Sequence, residues 1–192
     1  MTYDLIIIGA GPGGYTAAVR ASQLGLKTAV VEKDRAGGVC LNIGCIPSKS
    51  LIDSAKTFAH IERLRAWGVT ADTSGFDYAK VKARSRQAAD TLSKGVRFLF
   101  KKHAIDFIPG NGQVEGPHTV RVGEKAHEAR FILVAAGSGP KSLPGISIDG
   151  TNILSSTDAL LLEKLPASLI IIGAGAIGVE FAFIFHSFGV AV

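Results

Sequence analysis

Cysteine is almost absent from this 192-residue chain: Cys40 and Cys45 are the only two. One pair cannot build the disulfide framework of a small secreted domain. A zinc site needs about four ligands, and with His60 the nearest histidine the pair cannot supply them, so a metal centre is excluded there. Long apolar runs are missing too. "LIII" (5–8) and "LIIIGAGAIGV" (169–179) are too short or too glycine-rich to cross a bilayer, and no membrane association is expected. No charged segment, apolar stretch and cleavage site precede Tyr3, so the expectation is a soluble protein of a reducing, cytoplasmic compartment. Charge is sparse at 19%, and the net +5 is modest. The densest basic clusters, KARSR (82–86) and Lys101–Lys102, lack interleaved aromatics or a binding motif, so they read as solvated helix faces and no nucleic-acid partner is expected.

What is present describes an ordinary globular interior: 47% hydrophobic residues, and 23 glycines gathered into short motifs. The length suits one good-sized domain and part of a second. "YDLIII" (3–8) reads as a strand buried on both faces of a parallel sheet. "GAGPGG" (9–14) follows, then an alanine-rich helix to about Leu24 with Gly25 as its stop, then a buried strand "KTAVVEK" (27–33). Helical spacing recurs in 48–67, closed by Gly68, and in 77–104, where Gly95 is a weak point. "IDFIPG" (105–110), "HTVRV" (118–122) and "ARFILVAAG" (129–137) read as a small antiparallel meander feeding a last buried strand. The Pro/Gly-rich stretch 138–152 marks a boundary, and "SLIIIGAGAIGVEFAFIF" (168–185) then repeats the opening pattern of strand, glycine turn and helix.

Gly9-Ala10-Gly11-Pro12-Gly13-Gly14 fits G-x-G-x-x-G in the required context, with a strand before and a helix after. Gly9 permits the turn, Gly11 admits a pyrophosphate to the backbone, and Gly14 lets helix and strand approach. The phosphates would lie against free N–H groups at the helix start. Glu32, 21 residues after Gly11 at the end of the second strand, is placed to bind a ribose. Gly173-Ala174-Gly175-Ala176-Ile177-Gly178 meets the same test and implies a second dinucleotide; its ribose acid would fall near position 196, beyond this sequence. Two such sites suit an electron-transfer enzyme.

The cysteines admit several readings. As a staple, a ring of six residues contributes only about 2 kcal/mol. Five residues of regular helix rise about 7.5 Å, beyond the roughly 7 Å between Cα atoms that a disulfide spans, so a bridge requires a bend, for which Asn42 and Gly44 are suited. Pro47 would then sit in the first turn of the next helix and Cys45 near its N-terminus, an environment that favours reactive thiolates. Redox activity is the favoured reading; two inert thiols in a reducing compartment is the other.

The wording "GAGPGGYTAAVRASQLGLKTAVVEK…GGVCLNIGCIPSK" resembles the flavin disulfide reductases of the pyridine nucleotide-disulfide oxidoreductase family, and among them the dihydrolipoamide dehydrogenases. The resemblance covers essentially the whole chain, including "SSTDAL" before the second glycine motif. It implies an α/β architecture: a Rossmann-like FAD-binding domain (1–145) with a parallel sheet and small antiparallel meander, then the first βα unit of a Rossmann-like NAD-binding domain (146–192). FAD would meet Gly9, Gly11, Gly13, Gly14, Glu32, Lys33, Gly37 and Gly38, with the Gly112 backbone at the adenosine end and Ala136, Gly137 and Ser138 completing the site. NAD would meet Gly173, Gly175, Ala176, Ile177, Gly178 and Glu180. A Cys40–Cys45 redox disulfide is implied, Cys45 facing the flavin and Cys40 exchanging with a substrate dithiol. Lys49 would lie beside the reactive edge of the flavin, paired with Glu180.

The implied activity is NAD-dependent oxidation of dihydrolipoyl groups on an acyltransferase component of a 2-oxoacid dehydrogenase or related complex, in a homodimer. A non-catalytic FAD-binding piece, or a mercuric- or glutathione-reductase-type enzyme, are the alternatives. Two departures from the family stand out. The usual "ATGS" turn appears as Ala135-Ala136-Gly137-Ser138, without the threonine hydroxyl. The family's interface domain, with its His–Glu base, has no counterpart here, so His60, His103, His118, His127 and His186 are not read as catalytic.

Overall fold

The computed structural model describes residues 2–192, and of Glu62 the backbone alone. The chain divides into two compact units: residues 1–42 with 89–139, and 43–88 with 140–192.

The first unit is a six-stranded sheet with two short helices and the later part of a long one. Strand β1 (Tyr3–Ile8) leads through helix α1 (Pro12–Gln23) to β2 (Thr28–Glu32), which pairs parallel to it with Ile8 opposite Val31. The β-branched runs earn their central place: Ile6, Ile7, Ala29 and Val30 have no exposed surface. Helix α2 (Gly38–Ile43) follows. Helix α4 (Tyr78–Lys102) runs through into this unit and returns the chain to the sheet. Gly95 does not interrupt it; the glycine faces open space, and the flanking residues Val96 and Phe100 are buried.

The remaining strands correct the sequence reading in three places. Residues 106–109 form β3 (Asp106–Pro109), which lies parallel beside β2 at the sheet edge and not in the meander. A helix returns the chain before this strand, and such a crossover leaves successive strands parallel. The meander is instead β4 (Gly112–Gly116), read from sequence as a loop, with β5 (Thr119–Val122) and β6 (Lys125–Val134). The order is β3-β2-β1-β6-β5-β4, with β6 antiparallel to β5 and parallel to β1. Finally, β6 is not the buried strand its composition suggests. Phe131, Leu133 and Val134 are exposed, because no layer covers that part of the sheet among the described residues.

The second unit is helical. Helix α3 (Cys45–Ala66) and the first turns of α4 pack with α5 (Ser156–Leu161) and α6 (Ala176–Ser187). Their core contains Leu51, Ala55, Tyr78, Leu160, Phe181, Ile184 and Phe185. The strand expected before the second glycine turn does not form. Ser168 makes one isolated parallel bridge to Ala191, and Ile170 and Ile172 are 90% and 67% exposed. A lone strand has no ladder to complete and no face to bury.

The segment entering α5 is fixed by two carboxylates. Asp149 Oδ1 accepts the N–H groups of Thr151, Asn152 and Ile153 at 2.8, 2.8 and 2.9 Å. Ser155 and Asp158 form a capping box, with Asp158 Oδ2 accepting from the Ser155 N–H at 2.8 Å and its hydroxyl at 2.7 Å. The Ser155 hydroxyl holds the Asp158 carboxyl below the usual carboxylate range, and the Ile153 N–H leads the same effect at Asp149. Both groups bind protons more weakly when folded. Their stabilisation is therefore present above about pH 4 and lost as pH falls through and below it. Amide protection at 151–158 is expected to drop on acidification from about pH 6 to pH 3, as read by hydrogen exchange; a flat profile would refute it.

Candidate functional site

The first glycine turn lies at the carboxyl ends of β1 and β2, beside the point where the sheet order reverses around β1. Three backbone bonds set its frame. The Gly9 N–H donates to Val31 O, the Ala135 N–H to Ile8 O, and the Gly110 N–H to Glu32 O, each at 2.8 Å. Gly9 has φ +105°, and a Cβ there would stand 2.2 Å from Ala135 O. A Cβ on Gly14 would stand 1.8 Å from Gly9 O. Helix α1 can therefore reach the strand only because both positions lack side chains. Gly11 is its N-cap, no side chain caps it, and no acidic residue lies in its first turn. The first-turn N–H groups are thus open to an anion.

Glu32 shows why an acid belongs at the end of β2. Its Oε2 accepts the Ala10 N–H at 2.7 Å and its Oε1 the Asp34 N–H at 2.9 Å. A carboxylate has about four lone-pair sites, so each oxygen retains capacity for a sugar hydroxyl. Ala10 is fully buried, so removing its acceptor is costly. Glu32→Ala is expected to lower stability by about 1–3 kcal/mol, and Glu32→Gln, which restores one acceptor, by less. Denaturant titration of the three proteins checks the order.

The remaining sequence-predicted positions of this unit gather at the same end of the sheet. Gly37 donates its N–H to Ala10 O at 2.8 Å. A Cβ on Gly38 would meet Gly11 Cα at 2.6 Å, so the two turns touch through their backbones. Gly112 begins β4, with Val31 Cγ1 3.1 Å from its would-be Cβ. Gly13 is exposed near Ala135, whose methyl would lie 3.9 Å from a Cβ on it. Ala136, Gly137 and Ser138 are exposed just past β6, and Lys33 is exposed past β2. The part of Ala135, which stops the Gly9 position from carrying any side chain, was not read from sequence; only its place at the end of a strand hinted at it.

Cys40 is half-buried on α2, a helix of six residues. The helix ends at Ile43, Gly44 (φ −145°, ψ −117°) breaks the chain direction, and the exposed Cys45 is the first residue of α3. The expected bend is therefore at Gly44 alone. Asn42 stays helical and buried, its side-chain amide donating to Ala36 O at 3.1 Å and Gly38 O at 2.9 Å. Pro47 falls in the first turn of α3 as expected, fully buried.

In the second unit the second turn repeats the first in detail. Gly173 has φ +110°, Gly175 is the N-cap of α6, and a Cβ on Gly178 would lie 2.2 Å from Gly173 O. Ala176 and Ile177 are exposed at the start of α6. Lys49, one turn into α3, forms an ion pair with Glu180 on α6. The lysine is 61% exposed, so the pair contributes no more than about 1 kcal/mol to folding. Its location, and not its strength, is the informative feature.

The glycine turns, with strand and helix around the first of them, define a Rossmann-like α/β protein. Residues 3–192 match the family model described as pyridine nucleotide-disulphide oxidoreductase, and the chain belongs to that family. Among curated relatives, dihydrolipoyl dehydrogenase of Bacillus subtilis is 43% identical, the match taking in 99% of this chain and 43% of the relative. Dihydrolipoyl dehydrogenase of Rhizobium etli is 44% identical over 100% of this chain and 44% of its own length. Among solved structures, the HOCl-induced flavoprotein disulfide reductase RclA from Escherichia coli superposes with a TM-score of 0.84 at 30% identity, covering 98% of this chain and 40% of that one. The chain thus spans less than half the length of these relatives.

Proposed function

We propose that this chain is the FAD-binding and redox-active part of an NAD-dependent dihydrolipoyl dehydrogenase. Residues 1–145 belong to the FAD domain and residues 146–192 open the NAD domain. The observation that carries this reading is the cradle around Gly9–Gly14. Its close approaches leave no room for a Cβ at Gly9, Gly14 or Gly38, and Glu32 is anchored beside it with acceptor capacity to spare. A pyrophosphate bound to a ribose suits that set of donors and acceptors. The first-turn N–H groups of α1 would hold the phosphates, Glu32 the ribose hydroxyls, and the Gly112 backbone the adenosine end. Bound there, FAD would supply the electron transfer from a dithiol to a nicotinamide that cysteine side chains alone cannot perform.

The protein's own contribution is the thiol exchange. A dihydrolipoyl thiolate attacks the Cys40 sulfur of a Cys40–Cys45 disulfide, releasing Cys45 as thiolate. The second substrate thiol then displaces Cys40. The substrate leaves as the cyclic disulfide, and two electrons remain on the protein pair. NAD+ is the terminal acceptor of the overall reaction, bound at the Gly173–Gly178 turn. Lys49 and Glu180 fix a charge pair close in sequence to Cys45 and the second turn. The relatives' name, dihydrolipoyl dehydrogenase, supports a dihydrolipoyl group as substrate; a lipoyl-bearing acyltransferase as its carrier and a cytoplasmic homodimer as the setting belong to the same proposal. No helix among the described residues is long and apolar enough to cross a membrane. Because the strand before the second turn lacks ladder partners, the chain by itself is expected to hold NAD far more weakly than FAD.

Two measurements test the reading. After incubation with FAD and desalting, the chain should retain about one flavin per molecule by its visible absorbance. Since Cys40 and Cys45 are the only thiols, the oxidised chain should show none with a thiol reagent and two after treatment with dihydrolipoamide. Failure to retain flavin removes the cofactor assignment. Two thiols that persist under mild oxidant remove the disulfide chemistry.

A further inference from the structure

One peptide unit in the first unit of the structure is held on all sides by groups that the reaction does not use. The Ala36–Gly37 peptide has its oxygen gripped by two donors, the Asn42 amide at 3.1 Å and the Ser93 hydroxyl of α4 at 2.7 Å. Its hydrogen belongs to the Gly37 N–H, which donates to Ala10 O at 2.8 Å inside the glycine turn. Both lone pairs of the oxygen are thereby used. Ala36, Asn42 and Ser93 are buried at 2%, 3% and 5% exposure. Asn42 donates a second time, to Gly38 O at 2.9 Å, folding its side chain back under the start of α2.

A helix of six residues does not persist without external support, and α2 carries Cys40 on its third residue. Leu41 and Asn42 are the buried residues of α2, whereas Val39 is exposed. The Asn42 bonds thus tie the Cys40-bearing helix to the Ala36–Gly37 peptide, and the Ser93 and Gly37 bonds tie that peptide to α4 and to the glycine turn.

We infer that Asn42 and Ser93 are positioning residues for the redox pair. They restrict α2 so that the dithiol has few conformations to lose when Cys40 and Cys45 join, and so favour the disulfide. The inference rests on the redox reading of the two cysteines. The step it concerns is balanced by a glutathione couple: two protein thiols and one glutathione disulfide give the Cys40–Cys45 disulfide and two glutathione thiols.

The test is the equilibrium constant of that exchange, measured on the FAD-loaded chain in glutathione buffers of graded ratio. Asn42→Asp keeps the side chain's shape but replaces its donor by an acceptor facing two carbonyls. Ser93→Ala removes the other donor, and Ser93→Thr restores it. The expected result is a constant about tenfold less favourable to the disulfide for Asn42→Asp and for Ser93→Ala, equal to about 30 mV, with recovery in Ser93→Thr. Val30→Ala, a core variant of the same unit (Val30 is fully buried), should lower the denaturation midpoint without moving the constant. Constants within twofold of the parent for both Asn42→Asp and Ser93→Ala overturn the inference, as does an equal shift in Val30→Ala. A parent chain that forms no disulfide at any ratio overturns the redox reading itself, a result that cannot be confused with the others.

Discussion

Gly14→Ala is expected to abolish FAD retention and to destabilise the first unit. The added methyl would stand 1.8 Å from Gly9 O and 2.8 Å from Gly9 C, where only backbone can move to relieve it. Overpacking of this kind costs about 1–3 kcal/mol and occasionally more. The helix start must then retreat from the strand, and the N–H groups aimed at a pyrophosphate retreat with it. Gly13→Ala is the matched control. Its methyl would meet nothing nearer than Ala135 Cβ at 3.9 Å, so the fold should hold. Equilibrium dialysis with FAD and a denaturant titration on both variants make the comparison. Unaltered FAD binding by Gly14→Ala would mean that the cofactor does not use this turn.

Phe185→Ala should be the most damaging single truncation in the second unit. Phe185 has no exposed surface, stacks on Phe181 with ring centroids 6.0 Å apart, and sits in one cluster with Leu51, Leu160 and Ile184. Truncating a buried phenylalanine costs about 3–5 kcal/mol, a large part of the 5–15 kcal/mol that holds a typical domain together. Helix α6 should lose its protection against hydrogen exchange, and the Lys49–Glu180 pair should go with it. Far-UV circular dichroism is the better optical probe, since the single tryptophan, Trp67, is 78% exposed and reports little of the core. By contrast Lys49→Met should leave the denaturation midpoint nearly unchanged, because an exposed ion pair adds little.

The parts of this structure that were legible in the sequence are those whose constraints are local. A β-branched run before G-x-G-x-x-G, with an acid 21 residues after Gly11, specified β1, α1, β2 and the position of Glu32. The pairing of Lys49 with Glu180, expected from the family resemblance, is met by an ion pair between α3 and α6. What escaped the sequence depends on long-range partners. Whether Asp106–Pro109 joins a hairpin or a parallel edge is decided by the path of α4, which four residues cannot encode. The run at 169–172 has the composition of a strand, but pairing is what makes a strand, and among the described residues only one isolated bridge, Ser168 to Ala191, forms there. Asparagine tolerates turns, so on sequence alone Asn42 suits a bend. Two of its partners are Ala36 O, in the loop before α2, and Gly38 O, at the start of α2 itself. Ser93, 57 residues from the carbonyl it binds, left no local signal at all.

The two glycine turns have one more consequence. One sits in a complete sheet and the other does not, yet Gly9 and Gly173 have φ of +105° and +110°, and the N-caps Gly11 and Gly175 have φ of −70° and −75°. The two turns thus share one backbone conformation, although only the first is framed by bonds to β2 and to Ala135. Each turn with its helix presents the same uncapped amides, with a full sheet beside it in one case and a single isolated bridge in the other.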